Sequence, residues 1–577
     1  MASMAVLRRQ SSRPVGWIRK LREVHGPSRG RRLLNSLQQS LLNGTAEGYW
    51  NVLADPPTKF NFPRDVIDFW SAQEKGASPS NPAFCFAVDD NPKADMNFSY
   101  TELSSLSKRV SGVLNDQLGL SKGDRLMVIL PKTPEFWLIK LAALRCGIIL
   151  TSCTSMLTSK DIGLRLTKFA PHCMMAGEGQ ADAVDQVIGG FPGVRNKVVV
   201  SGSSGKSGWK SFCDLLKGAQ EFEGVETLRD DPAFVFFTSG TTGPPKMVEH
   251  SQGYCLAHLA TATYLYQLCK SDMLWCISDT GWAMEAFGTF PAWLTGACLF
   301  QTRMPRFSAE TTLSASRFCT CRSSKRAVCA QASNIRAGAL ACHCSRPYDL
   351  SVILKDSKLL QLVIKHNFGN LVVGGASRWW RFPRRMLTAF FVDILQIHDD
   401  EGRELGPSEI GHMAVATTPR KPFGLFTCFK DEPSKTETAF RNGFYYTGDK
   451  GYKDNDGYLW FFARADDVII SAGYRIGPFE VESVLAEHPA VAECAVVGSP
   501  DPNRGEVVKA FVVLRASHRN IEDLDGLAVE LQEFVKKNTA PYKYPRKVEF
   551  VEELPKTISG KVLRSLLRER EKLLKGA

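Results

Sequence analysis

The sequence predicts a large α/β domain followed by a small α+β domain. A length of 577 residues is too great for a single hydrophobic core. Residues 46–464 alternate apolar, strand-like runs with helical stretches, which is typical of α/β layers with parallel strands. Residues 465–577 carry shorter helical and strand patterns of their own. We therefore place the domain boundary in the linker Arg464–Asp467.

Individual elements follow from the spacing of apolar residues. In the large domain, Arg125–Leu130 is predicted as a strand, Pro134–Arg145 as a helix and Ile148–Cys153 as the next strand. In the small domain the pattern predicts the helices Val481–His488 and Leu524–Asn538 and the strands Ala490–Gly498 and Val507–Leu514. No apolar run is long enough to span a membrane, because charged residues interrupt the most apolar stretch, Phe136–Leu150.

The most informative segment is Thr238–Lys246, which reads Thr-Ser-Gly-Thr-Thr-Gly-Pro-Pro-Lys after the apolar run Phe234–Phe237. Glycines let backbone N–H groups approach an anion, hydroxyls add donors, and the lysine adds positive charge. The segment is therefore a candidate phosphate-binding loop, although it lacks the Walker spacing. The alternative is a polar surface turn.

Three further motifs follow in order towards the C-terminus. They are Tyr446–Asp449 (Tyr-Thr-Gly-Asp), the stretch Phe461–Glu482 and the segment Pro555–Arg564 (Pro-Lys-Thr-Ile-Ser-Gly-Lys-Val-Leu-Arg). Together with the candidate phosphate loop they resemble the motifs of the adenylate-forming (AMP-binding) superfamily. The blocks Ser499–Val513 and Thr539–Arg546 most resemble medium-chain acyl-CoA synthetases. The resemblance covers residues 45 to 577, with one disrupted region.

This resemblance implies a large domain of α/β subdomains plus a distorted β-barrel, and a mobile small domain. It implies ATP-dependent activation of a medium-chain fatty acid or similar carboxylate, through acyl-AMP, to the acyl-CoA. The implied cofactors are ATP, coenzyme A and Mg²⁺. The implied partner is a small carboxylate, with no nucleic acid, and the chain is expected to be a monomer or a weak homo-oligomer.

The resemblance also assigns roles to individual residues. Lys561 would stabilise charge between carboxylate and α-phosphate, Asp449 would accept the ribose hydroxyls, and Asp466 would be the domain hinge. Arg464 would contact ribose or phosphate. The pyrophosphate loop would comprise Thr238, Ser239, Gly240, Thr241, Thr242, Gly243 and Lys246, and the coenzyme A channel would be approached by Ser471, Gly473 and Arg475. The alternatives are a turn residue for Asp449, a surface salt bridge for Arg464 and a solvated lysine for Lys561.

The pattern of the family is disrupted between about residues 314 and 392. Ser314–Pro347 shows neither helical nor strand periodicity over a useful length. The aromatic-Gly-x-Thr-Glu motif, with which relatives stack adenine and hold Mg²⁺, does not occur in the chain, so we predict no metal-ligating residue. A shifted reading frame with a lost segment or a divergent paralogue would explain this. Impaired activity is expected, and the alternatives are a catalytically silent ligand-binding paralogue or a non-functional product.

The charge and the cysteine content restrict which other classes of protein the chain could belong to. The first forty residues contain nine basic side chains and one acidic side chain, which account for +8 of the net charge of +12. The rest of the chain therefore carries only +4, a charge that gives no general reason to expect nucleic-acid binding. This Arg-rich pattern, which precedes the region of resemblance, predicts a mitochondrial transit peptide at residues 1–45 and location in the matrix; a disordered basic arm is the alternative. The 16 cysteines are expected to be free thiols, since the Cys-x-Cys pairs between Cys319 and Cys344 do not fit zinc spacing.

Overall fold

A computed structural model of the chain describes residues 36–44, 46–74, 82–88, 94–200, 206–238, 245–276, 278–302, 327–329, 395–419, 421–422, 424–455, 459–557, 560 and 562–576. Most of the disrupted region therefore lies outside the described residues. So do Ser239–Gly243 and Lys561. Of Ser314–Pro347 the structure describes one short strand, Ala327–Cys329.

The helices agree closely with the apolar spacing of the sequence. In chain order they are α1 (Ala46–Ala54), α2 (Asp68–Glu74), α3 (Tyr100–Gly112), α4 (Pro134–Arg145), α5 (Ser159–Phe169), α6 (Glu178–Ile188), α7 (Phe212–Lys217), α8 (Gly253–Ala260), α9 (Ala286–Leu294), α10 (Pro433–Ala439), α11 (Pro478–Leu485), α12 (Leu524–Asn538) and α13 (Arg564–Gly576). Short π-helical turns at Pro63–Ile67, Val113–Gln117 and Thr261–Tyr266 adjoin α2, α3 and α8. The predicted bounds of α4 and α12 are confirmed.

The strands of the large domain form three sheets. In chain order they are β1 (Phe84–Ala87), β2 (Met96–Phe98), β3 (Arg125–Ile129), β4 (Ile149–Cys153), β5 (Cys173–Gly177), β6 (Asn196–Val200), β7 (Lys210–Ser211), β8 (Pro232–Thr238), β9 (Lys246–Ser251), β10 (Met273–Trp275), β11 (Cys298–Thr302), β12 (Ala327–Cys329), β13 (Leu395–His398), β14 (Gly411–Ala416), β15 (Cys428–Phe429), β16 (Phe440–Arg441), β17 (Phe444–Lys453) and β18 (Leu459–Arg464).

The largest sheet has eight strands in the order β15-β9-β8-β4-β3-β5-β6-β7, and β8 through β7 run parallel. Strands β3 and β5 are apolar along almost their whole length, because a parallel sheet is covered on both faces. Helix α4 connects β3 to β4 and is buried all round, with Trp137 fully inaccessible. The predicted order of strand, helix and strand is therefore confirmed.

Two smaller sheets lie in the described part of the large domain. Strands β12-β10-β11-β1-β2 form a second sheet that is parallel except at β2. Strands β13, β14, β17, β16 and β18 form an antiparallel sheet around the buried side chains of Ile397, Met413 and Tyr445. This antiparallel sheet lies where the resemblance implied a distorted barrel.

The small domain is an antiparallel sheet covered by helices. Its strands are β19 (Ile469–Ser471), β20 (Tyr474–Ile476), β21 (Val491–Asp501), β22 (Gly505–Leu514) and β23 (Lys547–Phe550), and β23 alone pairs in parallel. The apolar stripe of α12 packs Leu527, Leu531 and Val535 onto this sheet. Helix α11 begins three residues earlier than predicted, because Pro478 follows Gly477 and favours the first helical position.

Candidate active site

The two ends of the candidate phosphate loop are held together by a strand pair. Thr238 ends β8, Lys246 begins β9, and the two residues are cross-strand partners. The segment between them is therefore the connection of a hairpin at the carboxyl end of a central strand, which is where ligands bind in open α/β sheets. The Thr238 hydroxyl is buried and makes no hydrogen bond among the described residues.

A second loop meets the same edge of the sheet. The Thr280 hydroxyl donates to the Leu130 carbonyl oxygen at 2.7 Å, just past the end of β3. A Cβ on Gly281 would lie 2.0 Å from the Thr154 nitrogen, just past β4, so only glycine fits. Asp279 accepts the Gly281 N–H at 2.8 Å, and burial raises the pKa of its carboxyl. The Asp-Thr-Gly loop is therefore seated across the carboxyl ends of two strands beside the candidate phosphate loop.

Cationic groups collect around the second end of that loop. Burial lowers the pKa of Lys246, neighbouring Lys435 and Arg464 lower it further, and Glu432 acts in the opposite direction. Glu432 pairs with Lys435 and lies 3.7 Å from Lys168 of α5. An anion placed here would meet several positive charges at once. The sequence analysis missed Glu432, Lys435 and Lys168, because they lie far from Lys246 in the sequence and only the fold brings these charges together.

Asp449 and Arg464 form a pair on adjacent strands. They are cross-strand partners on β17 and β18, and the Asp449 Oδ1 lies 3.3 Å from the Arg464 Nη1. The Asp449 side chain is 1% exposed. Burial lowers the pKa of Arg464, but Asp449, Asp466 and Asp467 outweigh it, so the guanidinium pKa is raised. Asp449 is thus a buried strand residue and not a turn residue, and its pair with Arg464 is not a surface salt bridge.

The backbone conformation explains why glycine occupies the middle position of the Thr-Gly-Asp motif. Gly448 adopts φ +75°, which side chains other than glycine rarely tolerate. A Cβ there would lie 3.1 Å from the Arg464 Nη2. Glycine therefore lets the guanidinium lie close to the backbone beside Asp449.

The residues assigned to the coenzyme A channel lie on the first hairpin of the small domain. Ala472 and Gly473, with φ +49° and +83°, connect β19 to β20 in a two-residue turn of the type I′ class. Gly473 and Arg475 are exposed, whereas the Ser471 side chain is buried. The hairpin therefore presents the glycine and the arginine outwards, and the three roles remain predictions.

Lys561 itself lies outside the described residues, but its surroundings are defined. Lys556 and Val562 form an antiparallel bridge, and the Leu563 N–H donates to the Pro555 carbonyl oxygen at 2.8 Å. The segment between them is thus closed as a hairpin at the start of α13. The catalytic assignment of Lys561 stays a prediction.

The described residues provide no obvious metal centre. Among them, no group of three His, Cys, Asp or Glu side chains could hold a metal ion. The aromatic-Gly-x-Thr-Glu motif is missing from the sequence itself.

Comparisons with known proteins agree with the fold. Residues 72–317 match the AMP-binding enzyme family, and residues 480–561 match the AMP-binding enzyme C-terminal domain. Rat "Acyl-coenzyme A synthetase ACSM3, mitochondrial" (Rattus norvegicus) is 43% identical over 536 residues, covering 89% of this chain and 91% of that protein. Human "Acyl-coenzyme A synthetase ACSM4, mitochondrial" (Homo sapiens) is 43% identical over 533 residues, with the same coverage.

Solved structures show the same architecture. An anthranilate CoA ligase, AuaEII, in complex with anthranoyl-AMP superposes with a TM-score of 0.68 at 22% identity, covering 91% of this chain and 100% of that one. A Brucella canis acyl-CoA synthetase gives a TM-score of 0.56 at 26% identity, covering 93% and 99%. The fold is that of an adenylate-forming enzyme with a large N-terminal and a small C-terminal domain. The chain belongs to the AMP-binding enzymes and, within them, to the medium-chain acyl-CoA synthetases, which are acid–thiol ligases.

The family match also bears on the disrupted region. The match to the large-domain family ends at residue 317, three residues after the start of Ser314–Pro347.

Among the described residues, no helix is both long and apolar enough to cross a bilayer. Eleven cysteines, those whose side chains the structure describes, are free thiols, as expected for them.

Proposed function

We propose that this enzyme activates a medium-chain fatty acid or a similar carboxylate in two steps. In the first, a carboxylate oxygen attacks the α-phosphorus of ATP, the bond to the β-phosphate breaks, and pyrophosphate leaves. In the second, the sulfur of coenzyme A attacks the acyl carbonyl, AMP leaves, and the thiol proton passes to solvent. The observation that carries the proposal is the hairpin that pairs Thr238 with Lys246 at the carboxyl edge of the main sheet.

Each step depends on neutralising charge and positioning the reactants more than on covalent catalysis by the protein. Lys246 and its cationic neighbours would hold the phosphates as pyrophosphate departs. Asp449 would accept hydrogen bonds from the ribose hydroxyls, because a buried carboxylate has acceptor capacity beyond its pair with Arg464. Lys561 would balance the charge that develops between the carboxylate and the α-phosphate.

The proposal is tested by separating the two half-reactions. Acid-dependent exchange between ATP and pyrophosphate measures acyl-AMP formation, and a coenzyme A thioester assay with a panel of straight-chain and aromatic acids measures the whole reaction. We expect exchange with medium-chain acids to exceed exchange without acid. Hydrolytic or redox activity with no acyl-AMP for any acid would contradict the proposal.

We also propose Mg²⁺ as the ion that accompanies ATP. Magnesium commonly binds through substrate phosphates with few protein ligands. The ion would act in its complex with the nucleotide phosphates. Exchange assays with and without the ion test this requirement directly.

We propose location in the mitochondrial matrix, directed by the basic N-terminal segment. The curated relatives named above are mitochondrial proteins. Leu37 and Leu41 are buried in the same core as Tyr49 and Val52. A removed segment cannot contribute to that core, so we revise the transit peptide from residues 1–45 to residues 1–35. A monomer or weak homo-oligomer remains our expectation, which sedimentation of the purified chain tests.

A further inference from the structure

The hinge region is held on its large-domain side by the site itself. The Arg464 Nη1 donates to the Thr447 carbonyl oxygen at 3.5 Å and pairs with Asp449. The Ala465 N–H donates to the Gly448 carbonyl oxygen at 2.9 Å. Residues up to Ala465 are therefore tied to β17 of the large domain.

On the other side of the hinge, Asp467 is tied to the last helix of the small domain. Its carboxylate pairs with Arg568 and lies 4.0 Å from the Arg564 Nη1, both on α13. The Asp467 side chain is 9% exposed and that of Arg568 is 20% exposed. Asp466, the predicted hinge residue, lies between these two anchors; its Oδ1 is 3.5 Å from the Arg464 Nε, and the Asp467 N–H donates to the Arg464 carbonyl oxygen at 3.1 Å.

Arg564 extends the same network onto a second element. Its Nε and Nη2 donate to the Glu482 carboxylate of α11, with an Nη2 to Oε2 distance of 2.6 Å. The Glu482 Oε1 also accepts the Val496 N–H of β21 at 2.8 Å. Two arginines and two carboxylates therefore lock Asp467 to two helices and, through Glu482, to the sheet. The fork geometry of arginine makes such a network directional.

The network lies next to the hairpin that carries Lys561. Arg564 begins α13 only three residues after Lys561. The hairpin is closed by the bridge between Lys556 and Val562 and by the Leu563 N–H bond to Pro555. Asp467 and α13 therefore connect the hinge to the bridge between Lys556 and Val562, so a rotation at the hinge would also move this bridge.

We propose that Asp467, Arg564, Arg568 and Glu482 form a hinge clamp. The clamp centres the domain rotation on Asp466 and makes the bridge between Lys556 and Val562, which flanks Lys561 in the chain, move together with α13. Its members are positioning residues that act through Lys561, and in this respect the proposal rests on the proposed function. Partly buried, networked ion pairs of this kind contribute more than isolated surface pairs.

The clamp is tested without turnover by amide hydrogen exchange on the full chain. Arg568→Ala removes the main partner of Asp467. Arg570→Ala is the matched control, because Arg570 lies on the same helix but pairs with Glu549 at the surface. We expect Arg568→Ala to accelerate exchange about tenfold in peptides covering residues 465–470 and 555–563, as local opening becomes easier, with residues 505–514 unchanged. Equal exchange in the two variants, or loss of protection across the whole small domain, would overturn the clamp.

The half-reactions supply a second readout. Arg568→Ala should slow acyl-AMP formation about tenfold more than thioester formation from supplied acyl-AMP, because only the first step needs Lys561 in place. Arg568→Lys should recover part of the loss by restoring the charge. Equal loss in both half-reactions would show a purely stabilising role and overturn the proposal. If the unmodified chain makes no acyl-AMP, the proposed function fails, while hydrogen exchange still decides the clamp.

Discussion

Asp449 has two roles in the proposed site. Its buried carboxylate balances Arg464 and is predicted to bind the ribose hydroxyls. We expect Asp449→Asn to weaken ATP binding about tenfold or more, because hydrogen bonds to a charged group are worth about 1.5–3 kcal/mol. Calorimetric titration with a non-hydrolysable ATP analogue measures this. Asp454→Asn is the control, because Asp454 neighbours the same strand pair and accepts a hydrogen bond from Trp460. Equal weakening in both variants would contradict the ribose role.

Lys561 should matter in only one half-reaction. Lys561→Ala is expected to slow acyl-AMP formation by about 10²–10³, the usual cost of removing one well-placed electrostatic donor. Thioester formation from supplied acyl-AMP should change much less, because no charge then develops at the α-phosphate. Single-turnover measurements of both steps decide the matter. Equal losses in both steps would mean that Lys561 merely holds the small domain in place.

Two buried histidines should make the large domain sensitive to acid. Burial, with a contribution from Lys421, lowers the pKa of His250 to about 3, and burial also lowers the pKa of His258 well below its usual range. Both rings are neutral in the fold and gain a proton at about pH 6.5 on unfolding. Stability is therefore present above pH 6.5 and is lost as the pH falls below it, by about 1.4 kcal/mol per pH unit for each ring.

Urea denaturation between pH 7.5 and 5.5 measures this slope. His250→Gln should reduce the slope by one ring's share, because glutamine cannot titrate. His518 is half-buried in the small domain, and His518→Gln is the matched control for removing a histidine outside this core. An equal slope in the chain and in His250→Gln would contradict the assignment.

At the scale of elements, the spacing of apolar residues predicted helices and strands whose bounds depend on neighbouring residues. Helices α4 and α12 were predicted to the residue, because apolar periodicity and clear boundaries coincide there. Strand β21 extends three residues beyond the predicted end at Gly498, because its long pairing with β22 continues to Asp501. The start of α11 was misplaced, since the Gly477–Pro478 boundary was not used.

The N-terminal segment makes its own prediction. A reporter fused to residues 1–35 should enter mitochondria and be cleaved, because its Arg-rich, acid-poor pattern suits import. The same segment with Arg8, Arg9 and Arg13 changed to Glu should stay in the cytosol. Fluorescence microscopy and the size of the processed reporter provide the readout. Cytosolic retention of the unchanged fusion would contradict the targeting role.

For the whole molecule, the sequence revealed the site motifs but not the contacts between them. The ends of the phosphate loop, Asp449 and Arg464 were found because each lies in a compact motif. Glu432 and Lys435 near Lys246, and the pairing of Asp467 with Arg568, were not found. These contacts join residues far apart in the chain, and their spacing carries no local signal.

The intact motifs and the disrupted region together predict the activity of the whole chain. Nucleotide recognition is largely encoded, but the aromatic-Gly-x-Thr-Glu motif, which supplies adenine stacking and a Mg²⁺ glutamate in relatives, is missing from the sequence. Stacking of a base on an aromatic ring is worth about 1–3 kcal/mol. We therefore expect turnover at least ~100-fold below that of an intact relative, on the scale of one lost transition-state contact.

This expectation is checked by assaying the purified 577-residue chain beside a relative with the complete motif, using the same acids and ATP concentrations. A cooperative thermal melt is the control that separates slow chemistry from a large domain that does not pack. Slow turnover with a cooperative melt would locate the defect in the missing ligands of adenine and Mg²⁺. Near-normal turnover would instead mean that residues such as Trp379–Phe391, which lie outside the described part of the chain, supply both functions in another form.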